Sequence, residues 1–214
     1  MRTFSIHLVQ RPASKSQIPK HKNKTGVIEL VPDWLFHSLR KRFRYPDRIK
    51  REEITMMKIN MKPRDSKSEQ IAAFINVDMV NAVFVIFEKH GDHYDEVYCK
   101  DLFVESVKVI GAQEHDQKIV LTGGGGGTGI WESSHYVIRY TPEGYKDVWE
   151  GVATLRVSDK IAPYDIQQNG TIGFDAGGNE LYYALIKSQP VPEVSGQIYK
   201  YNENRMKYGL AEAY

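Results

Sequence analysis

Apolar positions along this chain recur with two different periods. Over PDWLFHSLRKRFRYP, residues 32–46, Leu35, Phe36, Leu39 and Phe43 fall on one stripe at helical spacing. Pro32 and Asp33 suit a first helical turn, where a missing donor and a negative charge are both tolerated. Basic residues crowd the far end, and Pro46 closes the run. From residue 68 onward the apolar runs become short, β-branched and aromatic. IAAFIN, AVFVIFE, IVLTG, HYVIRY, TLRVS, TIGFD, ELYYALIK and QIYKY are separated by gaps rich in Gly, Pro, Asn and Asp. The pattern predicts a mainly β, antiparallel fold preceded by one amphipathic helix. Three regions follow: a basic flexible arm over 1–26, a helix-containing basic segment over 27–64, and an acidic antiparallel β-repeat domain over 65–214.

Three segments within the β region lie over one another: FVIFEKHGDHYDEVYCK from Phe84, YVIRYTPEGYKDVWEG from Tyr136 and QIYKYNENRMKYGLAE from Gln197. Each reads as a strand, a polar turn and a second strand. The second and third align without gaps, pairing Tyr140 with Tyr201 and Tyr145 with Met206, whereas the first needs an insertion of one or two residues. This hairpin shape and aromatic spacing, over residues 68–208, resembles the degenerate repeats of bacterial FG-GAP or VCBS-like β-propeller proteins. It also resembles uncharacterised lipoproteins of Gram-positive bacteria that carry such repeats. The resemblance implies a propeller-type binding module. Those families carry an Asp/Gly-rich calcium loop, whereas the corresponding places here read VDMVNA, TGGGGGTG and FDAGGNE. Asp78, Asp175 and Glu180 stand as isolated carboxylates, so calcium is not expected. Three units are too few for a closed propeller, which leaves a partial propeller, a sandwich or a barrel.

Charge changes the picture more than bulk composition does. The 214 residues are 41% hydrophobic and 26% charged, as in an ordinary globular chain, and no run approaches the ~18 apolar residues of a spanning helix. The net charge of +2 hides a split. Residues 1–64 hold sixteen Lys and Arg against five Asp and Glu, a net of +11, and residues 65–214 carry a net of −9. Such a split suggests an anionic partner for the basic part, or docking on an acidic body. Arg40, Lys41, Arg42, Arg44, Arg48, Lys50 and Arg51 are the candidate phosphate contacts. Trp34, off the helical stripe, and Trp131 and Tyr145, with other aromatics, are candidates for a binding face. The amino terminus has no secretory leader, which implies the cytoplasm if Met1 is the natural start and an extracytoplasmic place if a leader was removed.

Chemistry-bearing motifs are sparse. Gly123–Gly127 lacks the Lys-Ser/Thr of a phosphate loop and reads as a flexible connection. HGDHYDE, from His90, offers metal-ligand types but in a hairpin turn, where neighbours point apart. Ser133, Ser134 and His135 have no nucleophile elbow around them, and the single Cys99 excludes an internal disulfide. The resulting expectation is a non-catalytic β-repeat binding or scaffold module, without cofactor or metal, that assembles with itself or with a macromolecule. The alternatives are an anionic-polymer or nucleic-acid binder acting through the basic segment, and a metal-dependent hydrolase using the histidines.

Overall fold

The computed structural model describes residues 30–64, 66, 68–111, 115–162, 165–188 and 191–214; the arm expected over 1–26 lies outside them. The helical stripe forms α1 (Asp33–Arg40), with Leu35 and Leu39 fully buried. The helix stops before the expected Pro46. Arg42 and Phe43 donate to the carbonyls of Leu39 and Arg40, three residues back, and this tighter turn swings Arg42 onto Glu96 of a distant strand. Phe43 still packs on the core as the stripe requires.

Twelve strands follow: β1 (Thr55–Ile59), β2 (Gln70–Asn76), β3 (Ala82–His90), β4 (His93–Lys100), β5 (Phe103–Ile110), β6 (Lys118–Gly127), β7 (Ile130–Thr141), β8 (Gly144–Val157), β9 (Ile166–Phe174), β10 (Glu180–Lys187), β11 (Glu193–Asn202) and β12 (Lys207–Ala213). All pair antiparallel with their sequence neighbours, in one sheet β1–β4 and one sheet β5–β12. The second sheet is held at β8–β9 only by Thr154–Val157 against Ile166–Asn169. The chain is therefore three four-stranded meanders in series. The first sheet begins before residue 65, because β1 pairs with β2 from Thr55 onward.

Side-chain alternation shows how the meanders stack. Ala73, Ile75, Val83, Val85 and Phe87 face α1, while Ala72, Phe84 and Ile86 face Val104, Ile119, Leu121 and Ile138 of the second meander. On the opposite side of the second meander, Val137, Val148 and Trp149 pack against Leu181, Tyr183 and Tyr208 of the third. The layers run α1, β1–β4, β5–β8, β9–β12, and no closed barrel forms among the described strands. Of the open alternatives, the packed faces give stacked sheets.

The three hairpins read from sequence are β3–β4, β7–β8 and β11–β12, and they share a defect. Counted back from the closing pairs His90–His93, Thr141–Gly144 and Asn202–Lys207, the register shifts between Ile86 and Phe87, Val137 and Ile138, and Ile198 and Tyr199. Each is the same step, and each leaves one residue of the second strand unpaired: Val97, Val148 and Ala211. Such a bulge turns two consecutive side chains to one face. Accordingly Val97 and Tyr98 both enter the core between the first two meanders, and Val148 and Trp149 both enter the next. This register corrects the sequence alignment: Tyr145 corresponds to Tyr208, not to Met206. Tyr140 packs edge-to-face on Tyr145 and Tyr201 on Tyr208, at 5.2 and 5.3 Å, and the third hairpin has a loop two residues longer.

The glycine run is not a flexible connection. Gly123–Gly127 is the second half of β6, in continuous register with Ile130–Ser134 of β7. A Cβ on Gly124 would overlap the Glu132 carbonyl, whereas one on Gly127 would meet open space. At Gly124 and Gly126 glycine stands because the two backbones approach too closely for a side chain. Gly124→Ala is expected to cost about 2–3 kcal/mol in chemical denaturation and Gly127→Ala within about 0.5 kcal/mol. Equal costs would show that the close approach is not what selects glycine.

Candidate functional site

Three of the seven candidate cations of the basic segment are paired within the chain. Arg40 pairs with Asp47 at 2.7 Å, Arg51 with Asp33 at 2.5 Å, and Arg42 with Glu96 on β4. Arg40 and Arg51 also lie over the Phe36 ring at 5.3 and 4.8 Å. Lys41, Arg44, Arg48 and Lys50 are exposed, with no carboxylate at ion-pair distance among the described residues; Arg44 and Arg48 flank the exposed ring of Tyr45. Trp34 is not a free platform. It stacks on Tyr94 at 4.1 Å and meets Phe87 edge-on at 5.3 Å. Trp131 is half-buried, edge-on to Phe103 at 6.2 Å. Tyr145 packs in the core between the first two meanders.

Two polar clusters hold the first meander to the second. The Glu88 side chain is 3% exposed and accepts from Lys62, from Ser68 at 2.7 Å and from Tyr145 at 3.1 Å. Burial pushes its carboxyl up, but the three donors outweigh burial and hold it below the usual carboxylate range. Asp147 of β8 accepts from Tyr98 at 2.6 Å and from Lys100 at 2.5 Å, and the Lys100 ammonium sits 3.6 Å over the Tyr136 ring. Burial, then the neighbouring carboxylates, push the Tyr98 and Tyr145 hydroxyls up, so both act as neutral donors.

His135 and the isolated carboxylates singled out in the sequence have structural partners. His135 Nδ1 lies 2.8 Å from Thr122 Oγ1 and its Nε2 lies 3.3 Å from the Gly170 carbonyl. A carbonyl only accepts, so Nε2 carries the proton and Nδ1 accepts from Thr122. Ser133 Oγ is buried with no hydrogen-bond partner, so it is not paired with His135. Asp78 accepts from the backbone of Val80 and Asn81, and Asp175 from that of Asn179 and Glu180; these carboxylates close turns. His93 lies 3.3 Å from Asp95 and His90 lies 3.7 Å from Glu88. Among the described residues no three His, Cys, Asp or Glu side chains converge on one point.

One surface stands apart from these packed groups. On the third meander Tyr182, Ala184 and Ile186 of β10 lie opposite Ile198, Gly196 and Val194 of β11, on the face away from Leu181, Tyr183 and Tyr199. Ile186 is 40%, Val194 68% and Tyr214 75% exposed, and Tyr214 is held beside Gly196 by two backbone hydrogen bonds. The ion pairs Glu180–Lys200 and Lys187–Glu193 lie near its ends. Ile186, Val194 and Tyr214 carry no signal in the sequence, because single apolar residues on a strand read as core.

A scan against family models, and searches of curated proteins and of solved structures, found no match.

Two chemical consequences are measurable. Burial, opposed by Arg42 and helped by Asp101 and Glu96, pushes the Cys99 thiol up to about 11. Its alkylation at pH 8 is expected to be at least ~10-fold slower in the folded than in the unfolded chain, because the thiolate is the nucleophile. Equal rates would show an exposed, ordinary thiol. Burial also pushes the His135 imidazole down, against the pull of the Gly170 carbonyl. A lowered folded value gives stability that is full above the unfolded value of ~6.5 and is lost as pH falls through the folded value. Denaturation midpoints should therefore fall between pH 7.5 and 5 in the native chain and fall less steeply in His135→Gln. Parallel slopes would remove His135 from that pH dependence.

Proposed function

We propose that this chain is a non-catalytic β-repeat assembly module whose third meander binds a second copy. The reading rests on one equivalence. Ile86, Val137 and Ile198 occupy the same hairpin position; the next meander covers the first two, and no described element covers the third. Phe87, Ile138 and Tyr199 face backward in the same way, against α1, the first meander and the second meander. The meanders thus stack head to tail, and the stack ends on an apolar forward face. Exposed apolar patches rimmed by polar residues mark association sites.

The occupant follows from the other end of the stack. α1 covers the backward face of the first meander, so a copy has no free backward face to offer. Two copies meet forward face to forward face about a twofold axis. Both signs of charge stand near the ends of that face, in Glu180–Lys200 and Lys187–Glu193, so like faces do not confront a single sign. The alternative of an anionic polymer on the basic segment is less favoured, because Arg40, Arg42 and Arg51 are spent on carboxylates.

Light scattering should give twice the monomer mass for the native chain and the monomer mass for Ile186→Glu combined with Val194→Lys. Both positions are exposed, so the variant should keep its denaturation midpoint. A native chain that is monomeric up to its solubility limit overturns the reading.

A further inference from the structure

The turn end of β11–β12 carries a groove of about 550 Å³, lined by Lys200, Tyr201, Arg205, Lys207, Tyr208 and Leu210 among others. That volume is in the range of small-molecule sites, roughly 300–1,000 Å³. We propose that this groove binds an oxyanion, the phosphate or carboxylate of a small molecule. It shares Lys200 with the rim of the apolar face used for self-association, whereas Ile186 and Val194 are not among its lining residues.

Charge carries the argument. Arg205 and Lys207 are exposed, with no carboxylate at ion-pair distance among the described residues. Behind the wall formed by Tyr201, the Arg139 guanidinium lies 4.0 Å over that ring, and its Nη1 is buried with no acceptor. A buried guanidinium nitrogen without an acceptor is uncommon. Lys118 is 3% exposed, and its Nζ donates to the Gly177 carbonyl at 3.0 Å. Tyr208, on the same wall, donates to the next carbonyl, that of Gly178. Lys118 and Arg139 therefore put positive charge near Tyr208 and Tyr201, two of the residues that line the groove.

The acids nearby do not cancel this charge. Asp175 accepts from the backbone of Asn179 and Glu180, Glu180 is 3.2 Å from Lys200, and Glu203 lies in the hairpin loop. With Asp116, whose charge also acts on Lys118, five cations face four carboxylates in a region of sequence whose net charge is −9. A cleft of one sign concentrates ligands of the other, and a guanidinium fork matches the geometry of phosphate and carboxylate oxygens.

Calorimetric titration of the full chain at low salt with inorganic phosphate and, separately, with citrate tests the proposal. At least one anion should bind, and affinity should fall at least ~10-fold in Arg205→Ala combined with Lys207→Ala, the effect of losing two charged donors. Both side chains are exposed, so an unchanged denaturation midpoint shows that the variant folds. Phosphate without citrate identifies a phosphate ligand, and citrate without phosphate a carboxylate. Binding of neither anion, or undiminished binding by the double variant, overturns the site. The Ile186→Glu, Val194→Lys variant should bind as the native chain does, which separates failure of this site from failure of self-association.

Discussion

The structure depends on a strand pair that is dry on both faces. Ala82 through Glu88 of β3 are buried without interruption, and β2 beside it is buried from Gln70 through Ala73. A sheet buried on both faces requires a covering layer on each side, and here α1 provides one and β5–β8 the other. Fully burying residues such as Phe84 and Ile86 contributes about 1.5–3 kcal/mol apiece, which neither layer could supply alone. Glu88 is the last residue of that buried run. A carboxylate there is tolerable only because Lys62, Ser68 and Tyr145 reach it from three directions. The same tyrosine ties the second meander to the first, so satisfying this buried charge also fixes how the layers sit.

Much of this architecture was legible because alternation in strands is a local property. The central strands and the three hairpins stood out as apolar runs between turn residues, and the helical stripe survived as Leu35 and Leu39. What escaped had physical reasons. β1 and β5 mix Lys and Glu with apolar residues because they are edge strands with partly exposed faces, so no clean period shows. Gly123–Gly127 has the composition of a loop, and only the approach of β7 explains why it is a strand. Tyr145 was set against Met206 because a gapless alignment cannot see a loop lengthened by two residues. Pairing across the hairpin, not spacing along it, defines equivalence.

Function was less legible because a charge is visible in sequence and its partner is not. Arg42 and Glu96 are 54 positions apart, and their contact turns a candidate phosphate ligand into a tie between the helical segment and β4. Part of the contrast between the +11 and −9 regions is thus complementarity within one chain. Conversely, Arg139 on β7 lies 66 positions before Arg205 in the β11–β12 hairpin, and no linear motif could have grouped it with Arg205 and Lys207. The aromatic side chains divide by the same logic. Trp149, Tyr183 and Tyr199 interlock edge-to-face inside the last core, while Tyr182, one residue from Tyr183, faces outward.

How a repeat ends determines what it can join. A stack of like units exposes a backward face at one end and a forward face at the other, and copies joined through unlike faces grow without limit. At the backward end, α1 with Trp34 laid on Phe87 and Tyr94 removes the complementary surface. At the forward end, the bulge positions that hold Val97 and Tyr98, then Val148 and Trp149, hold Ala211 and Glu212. A small residue and a carboxylate replace the large apolar pair that locks one meander on the next, so a further meander would bury a charge where its predecessors bury an aromatic ring. The apolar centre at Ile186 and Val194 remains, flanked by this change. Such a face disfavours continued stacking while leaving hydrophobic area for one closed contact, as the proposed pairing of two copies requires.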